Sequence, residues 1–461
     1  MDRIPDDVLR VILDKLWLGE LVRIMRVSSR WHALIMDLPV YWRDISLGSP
    51  APSDVNFFLH RMRMSSSQRP IRVSLPIFKL LPSVVTAIAE HLHHIQHLDI
   101  NVPIRLVEGL LIALANPAPM LEKFSFILCH LYQREALPTL PATLFARNAP
   151  LLRTVSLENI LFAKAGLACF AHVTKAHMAC SIPIPLPVAM SNPMAMFPIA
   201  RHVSLLAADA RLVTIDESIY DSESWRNVES LELSGRAWGQ LRLPLEAIPR
   251  ITFSRWDPSC VEMALGHIRG CLELHLETSG SPYTTFTAHI VGSNGSRTLD
   301  RSFGNEAASD WLKAPDPVSG DRWHPDLLTH RLPHSLLKHG PLIDRTVTLR
   351  LSGGAFFGPL LQLFDPLPAL ERLIIEDVVC LPQPPSTVLR CPNLRDLVLV
   401  GSPELCRPTQ EEVDEFIRVC LITGRLPLRV EPRNFTIDPS DWRGADPSFI
   451  VIANEAAGAE Q

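Results

Sequence analysis

The chain has 461 residues, 47% of them hydrophobic and 20% charged, with a formal net charge of −5. That length accommodates a small domain plus one large one, and so slight a charge gives no general electrostatic case for nucleic acid or an anionic membrane as partner. Nine scattered cysteines without a Cys-x-x-Cys pair fit buried thiols in a reducing compartment better than disulfides or zinc.

Pro5 followed by Asp6 and Asp7 predicts a helix start, because proline fits a first turn and carboxylates suit the positive end of the helix dipole. Val8, Leu9, Ile12, Leu13 and Leu16 then fall at i, i+1, i+4, i+5 and i+8, one broad apolar face. After a break at Gly19 a second stripe runs through Leu21, Ile24, Ser28, Trp31 and Ile35, with Arg23, Arg26 and Arg30 on its polar side; Pro39 ends it and Tyr41-Trp42 follow. A unit of under about fifty residues cannot bury this much apolar surface alone. Something must cover it, and periodicity leaves open an ordinary helical cap packed on the next domain.

The order of the parts, from Ile4-Pro5 through the aliphatic helix and Arg30-Trp31 to Trp42, resembles an F-box. The family more often opens with Leu-Pro and often has Cys or Arg where Ser28 and Ser29 stand. The resemblance implies that residues 1–48 form a three-helix F-box. Such a module tethers the chain to the adaptor subunit of an SCF-type cullin–RING ubiquitin ligase, and through it to the cullin, while the remainder selects a protein target. Carried over by position, the adaptor-facing residues are Pro5, Leu9, Ile12, Leu13, Leu16 and Leu21, and Trp31 and Trp42 hold the module's own fold. The acidic, helix-forming start argues against a secretory signal; the expectation is an intracellular protein, cytoplasmic or nuclear.

Residues 49–68 read as a linker. Beyond them the pattern apolar-x-x-apolar-x-apolar recurs, as in Ile95-Gln-His-Leu98-Asp-Ile100, Leu121-Glu-Lys-Phe124-Ser-Phe126, Leu152-Arg-Thr-Val155-Ser-Leu157, Ala200-Arg-His-Val203-Ser-Leu205, Val228-Glu-Ser-Leu231-Glu-Leu233, Ile248-Pro-Arg-Ile251-Thr-Phe253, Leu370-Glu-Arg-Leu373-Ile-Ile375 and Leu394-Arg-Asp-Leu397-Val-Leu399. Spacings of 25 from Val73 to Leu98, 26 from Leu98 to Phe124 and 24 from Leu373 to Leu397 fall in the range of leucine-rich repeats. Residues 69–405 are similar to irregular leucine-rich repeats, although several coils lack the Asn that usually follows the strand; Asn101 and Asn159 come close. The expected fold class is therefore α/β, an N-terminal three-helix F-box followed by a leucine-rich-repeat-like solenoid of short parallel strands with helical or irregular returns. A conventional open α/β sheet needs fewer, longer buried strands.

Residues 176–200 carry no formal charge, but five prolines there would break a spanning helix repeatedly, so the stretch reads as a connector and no membrane association is expected. Between Leu274 and Leu349 the rhythm fails. Residues 279–343 form an insertion or a degenerate repeat, with Asn294-Gly295 between alternating runs predicting a hairpin. Its Trp311 and Trp323 are candidate target-binding anchors, or simply core residues. Residues 406–461 read as a cap, with a last amphipathic helix over Thr409 to Thr423, and a tail.

No phosphate-binding glycine motif, nucleophile elbow or His-Glu-x-x-His occurs. His91, His93, His94 and His97 cluster without an accompanying ligand pattern and read as a solvated helix end rather than a metal site. No catalytic residue, cofactor or metal is expected. The functional expectation is a substrate-recognition subunit of a ubiquitin ligase; the other reading is a leucine-rich-repeat scaffold without a ligase role.

Overall fold

The computed structural model describes residues 4–65, 69–76, 81–129, 137–161, 166–180, 188–190, 193–209, 213–215, 223, 225–236, 243–254, 258–279, 285–294, 297–305, 336–352, 364, 366–378, 388–401, 410–424, 427–433 and 449–451. The architecture is mixed α/β, with helices at the amino end followed by mostly parallel strands. Two compact units, Met1–Val228 and Glu229–Gln461, divide the chain. Among the described residues no helix is long and apolar enough to cross a membrane.

The first unit opens with helices α1 (Asp6–Leu13), α2 (Leu18–Ile24), α3 (Ser29–Asp37) and α4 (Pro39–Arg43), four where three were expected. The single stripe read from Leu21 to Ile35 is two helices, because Ser28 starts a new one: its Oγ accepts the Trp31 N–H at 3.2 Å, a side-chain cap for an otherwise unpaired donor. Pro39 marks both the end of α3 and the first turn of α4. Strand β1 (Asp44–Ser46) follows directly and pairs with β2 (Ile71–Pro76), so the helical module runs straight into the sheet. The 49–68 segment, expected as a linker, carries a helix, α5 (Pro52–Met64), that buries Val55, Phe58, Leu59 and Met62.

Strands β3 (Ile95–Pro103), β4 (Lys123–Cys129), β5 (Thr154–Glu158), β6 (Lys175–Cys180) and β8 (His202–Asp209) extend this sheet in parallel. Between β6 and β8 lies β7 (Val188–Met190), which pairs separately with β9 (Val213–Ile215). The apolar positions of the sequence pattern align across the strands: Val73, Leu98, Phe124, Val155, Ala176 and Val203 form one row, and Leu75, Ile100, Phe126, Leu157, Met178 and Leu205 the next. All are buried, because alternate residues of a strand share a face. The returns are helical in α6 (Pro82–His91), α7 (Val107–Ala113) and α8 (Pro193–Met196), and single 3-10 turns elsewhere.

In the second unit β10 (Ser230–Arg236) pairs in parallel with β11 (Arg250–Ser254), and α9 (Pro258–Leu265) leads to β12 (Arg269–Ser279). Here the structure departs from a simple succession of coils. β12, β13 (Thr285–Asn294) and β14 (Arg297–Asn305) form an antiparallel meander, and it is β14, not β12, that lies beside β11. β12 in turn pairs in parallel with β15 (Thr346–Ser352), after which β16 (Arg372–Val378), β18 (Asp396–Gly401), β20 (Leu428–Arg433) and β21 (Phe449–Val451) follow in parallel; β17 (Leu389–Arg390) and β19 (Leu421–Ile422) form a small pair of their own. The predicted hairpin exists, with Asn294 opposite Arg297. Its strands are members of the sheet rather than a loop standing off it.

The exchange of neighbours puts Arg301 in register with Ile251, in a row otherwise filled by apolar side chains. Arg301 is fully buried; it donates to the carbonyls of Pro249 at 3.0 Å, Asp300 at 2.9 Å and Leu245 at 3.0 Å, and pairs with His267 Nε2 at 2.7 Å. Burial lowers both partners, Arg301 to about 10 and His267 to about 4. The sequence carried no sign of this arrangement.

Candidate functional site

Residues 4–48 pack around Leu9, Leu13, Leu21, Leu34, Ile35, Leu38, Tyr41 and Trp42, with Leu16 and Trp31 half-buried against them. Trp42 sits edge-on to Tyr41, ring centroids 4.9 Å apart, and its Nε1 donates to the Met36 carbonyl at 2.7 Å, which satisfies the indole's only polar atom. Polar ties at the surface fix α1 against α3. Arg30 donates to Asp6 Oδ1 from Nε at 2.9 Å and from Nη2 at 2.5 Å, and Arg10 reaches Asp37 at 2.8 Å. Such exposed pairs orient more than they stabilise.

A second apolar face is left over. On α1, Val8, Val11 and Ile12 occupy i, i+3 and i+4 and are 48%, 65% and 48% exposed, with Ile4 just before the helix and Trp17, at the start of α2, 65% exposed. Helix α1 is thus apolar on two sides: one makes the core and one faces solvent. The adaptor-facing positions named from the sequence divide accordingly. Ile12 and Pro5 are exposed and Leu16 is half-buried, whereas Leu9, Leu13 and Leu21 are fully buried in the module's own core, so in this conformation they support the face rather than form it. Val8, Val11 and Trp17 were missed. A helix apolar around most of its circumference gives periodicity no means of saying which side stays outside.

The module is anchored by Arg61 of α5. Its side chain is fully buried, donates to the Asp44 carbonyl at 2.9 Å and, more closely still, to the Tyr41 carbonyl, and lies 5.1 Å from the Tyr41 ring centroid. Desolvation lowers its pKa to about 10, against the opposing pull of Tyr41 and Asp44. A buried cation held by two carbonyls and an aromatic face joins the end of the helical module to the start of the sheet.

The histidine cluster stands at a helix end, as read from the sequence, but of its four residues only His93 is exposed. His94 is buried; its Nε2 lies 3.4 Å from Ser65 Oγ and its Nδ1 3.2 Å from His93 Nε2, while His93 Nδ1 lies 3.0 Å from the Glu90 carbonyl. Burial, then the neighbouring His91 and His93, push His94 down to about 4. Among the described residues no group of three or more His, Cys, Asp or Glu is placed to hold a metal ion. Cys169 and Cys391 are buried thiols raised to about 12, while Cys271 is exposed, unlike the buried thiol expected of it. Trp311 and Trp323 lie outside the described residues.

A polar chain joins β12, β15 and β16. His275 Nε2 lies 2.9 Å from Ser352 Oγ, which donates to Glu376 Oε2 at 2.6 Å, and Glu376 Oε1 pairs with Arg350 at 2.8 Å.

Residues 1–48 match the family model described as F-box-like. No curated protein matches the chain. The module that opens this protein is therefore an F-box-like domain, and its exposed apolar face lies on the helix that begins the match.

Proposed function

We propose that this chain is the substrate-recognition subunit of an SCF-type ubiquitin ligase. Residues 1–48 bind the adaptor subunit, and through it the cullin, while the strands beyond them form a leucine-rich-repeat-like solenoid that binds a protein target. The chain performs no chemistry and holds no cofactor; it raises the effective concentration of target lysines beside the ligase's conjugating enzyme. Such a subunit works in the cytoplasm or the nucleus.

The observation that carries this reading is the apolar face of Val8, Val11 and Ile12, left uncovered on a domain that matches F-box-like sequences. Large side chains exposed together in one stripe favour a protein partner. The Arg61 anchor supports a positional role, because it ties the adaptor-binding module to the first strands of the sheet. Co-expression with the adaptor followed by pull-down, probed for adaptor and for cullin, tests the proposal. Both should co-purify. Adaptor without cullin would make the chain a scaffold outside the ligase, and recovery of neither would overturn the assignment.

A further inference from the structure

The rim formed by the amino ends of β4, β5, β6 and β8 carries a regular pattern that the adaptor face does not use. Lys123, Thr154, Lys175 and His202 are aligned across these four strands. Counting the residue just before each, every strand contributes one exposed cation, in order Lys123, Arg153, Lys175 and Arg201. Three residues before the aligned row stand Met120, Leu151, His172 and Ile199, and the three apolar ones are 39%, 40% and 44% exposed.

The rim is built rigidly. The Glu122 carbonyl accepts the N–H of Arg153 at 2.9 Å and of Thr154 at 3.1 Å; that of Arg153 accepts Thr174 at 2.9 Å and Lys175 at 3.0 Å; and that of Thr174 accepts Arg201 at 2.9 Å and His202 at 3.1 Å. Arg153 Nη1 is further held by the Pro150 carbonyl at 2.9 Å. Glu122, the carboxylate among these rim positions, is engaged by Gln96 Nε2 at 2.9 Å. Apolar side chains thus stand beside a line of cations on a fixed backbone.

The spacing selects the shape of a partner. Adjacent strands lie about 4.8 Å apart, so the amino ends of the four strands, which Met120, Leu151, His172 and Ile199 precede, are spread over about 14 Å. A helix lying across the strands and presenting residues i, i+3, i+7 and i+10 advances about 15 Å over the same three steps. An extended strand places same-face residues about 6.8 Å apart and falls out of step.

We propose that this rim is the docking surface for an acidic amphipathic helix of a partner protein, its apolar residues on Met120, Leu151 and Ile199 and its carboxylates facing Lys123, Arg153, Lys175 and Arg201. The inference deepens the proposed function by naming the class of target segment, and rests on the strand region being the part that binds a target.

The test uses the full chain in complex with its adaptor and a labelled helical peptide of about 18 residues, with leucine at i, i+3, i+7 and i+10 and glutamate on either side. Controls carry lysine for glutamate, serine for leucine, or a central proline. The parent peptide should bind with an affinity that falls as salt rises, and each control should bind about tenfold more weakly or worse. Lys123→Glu with Lys175→Glu should weaken the parent peptide by a similar factor and admit the lysine peptide. Equal binding by the lysine peptide, or no effect of the double reversal, overturns the charge match; full binding by the proline peptide overturns the helical occupant. Adaptor co-elution of the double variant is read in the same samples. Its persistence shows that residues 1–48 of the variant fold, uptake of the lysine peptide shows that the rim does, and absence of adaptor co-elution in wild type strikes the proposed function while leaving the peptide result to stand alone.

Discussion

The side-chain amide of Asn159 donates to the carbonyl of Leu128 at 2.9 Å, reaching from the end of β5 back to the end of β4. In the other direction the Asn159 backbone N–H donates to Ala179 at 2.8 Å, in β6. One buried residue, held at φ 60°, ties three successive strands. Asn tolerates this left-handed backbone better than other residues with a Cβ.

Asn159→Ala leaves the Leu128 carbonyl without this donor and keeps a side chain at positive φ. The variant should lose about 1–3 kcal/mol of stability, read as a lower urea midpoint. Asn159→Gly relieves the backbone but not the lost bond, and should fall between Ala and wild type. An alanine variant as stable as wild type would remove Asn159 from the account of how the strands are joined.

Substitutions on the two sides of α1 should separate surface from core. Val11→Glu with Ile12→Glu alters exposed positions; adaptor co-purification should drop at least tenfold, roughly the effect of removing two central contacts, with thermal unfolding unchanged. Leu9→Glu with Leu13→Glu instead places charges in the module's core and should unfold residues 1–48 before any question of binding arises. Undiminished adaptor binding by the surface pair would show that the interface lies elsewhere.

Acid should weaken the fold through His94 and His267, both lowered to about 4 from an ordinary value of 6.5. The fold prefers the neutral imidazoles, so their contribution is complete above the unfolded value. It declines as pH falls from 6.5 towards 4, where the unfolded chain takes up protons that the folded chain refuses. Solvent that reaches the rings screens part of the effect, leaving each on the order of 1 kcal/mol across that window. Urea unfolding at pH 7 and pH 4.5 for wild type and for His94→Gln measures it: the variant should lose less stability on acidification than wild type.

Gly292 of β13 has no room for a side chain: a Cβ there would come within 2.5 Å of Ile268 Cγ2 and 2.7 Å of Leu272 Cδ2. Gly292→Val should destabilise the second unit by about 1–3 kcal/mol, the usual cost of overpacking. Hydrogen exchange should report faster opening of β12 to β14 than elsewhere. Uniform protection in the variant would mean the meander opens only with the rest of the unit.

The sequence by itself determined the rows of the sheet and the place of the opening module. Leu98, Phe124 and Val155 align because a strand's side chains alternate with a period of two, a local property that one coil fixes for itself. The F-box-like segment was legible for the same reason, its caps and apolar spacing being near neighbours in the chain. Partner choice between distant elements was not local and could not be read. β14 lies beside β11 only because two further strands fold between β11 and β12, and that exchange sends Arg301 into a row where Leu or Ile would be expected. Likewise the composition of α1 shows that it is greasy, but only the packing of Leu34, Ile35 and Trp42 against one side decided that Leu9 and Leu13 turn inward and Val8, Val11 and Ile12 stay out. Burial belongs to the pair of surfaces that meet, and a single strand or helix carries only one of them.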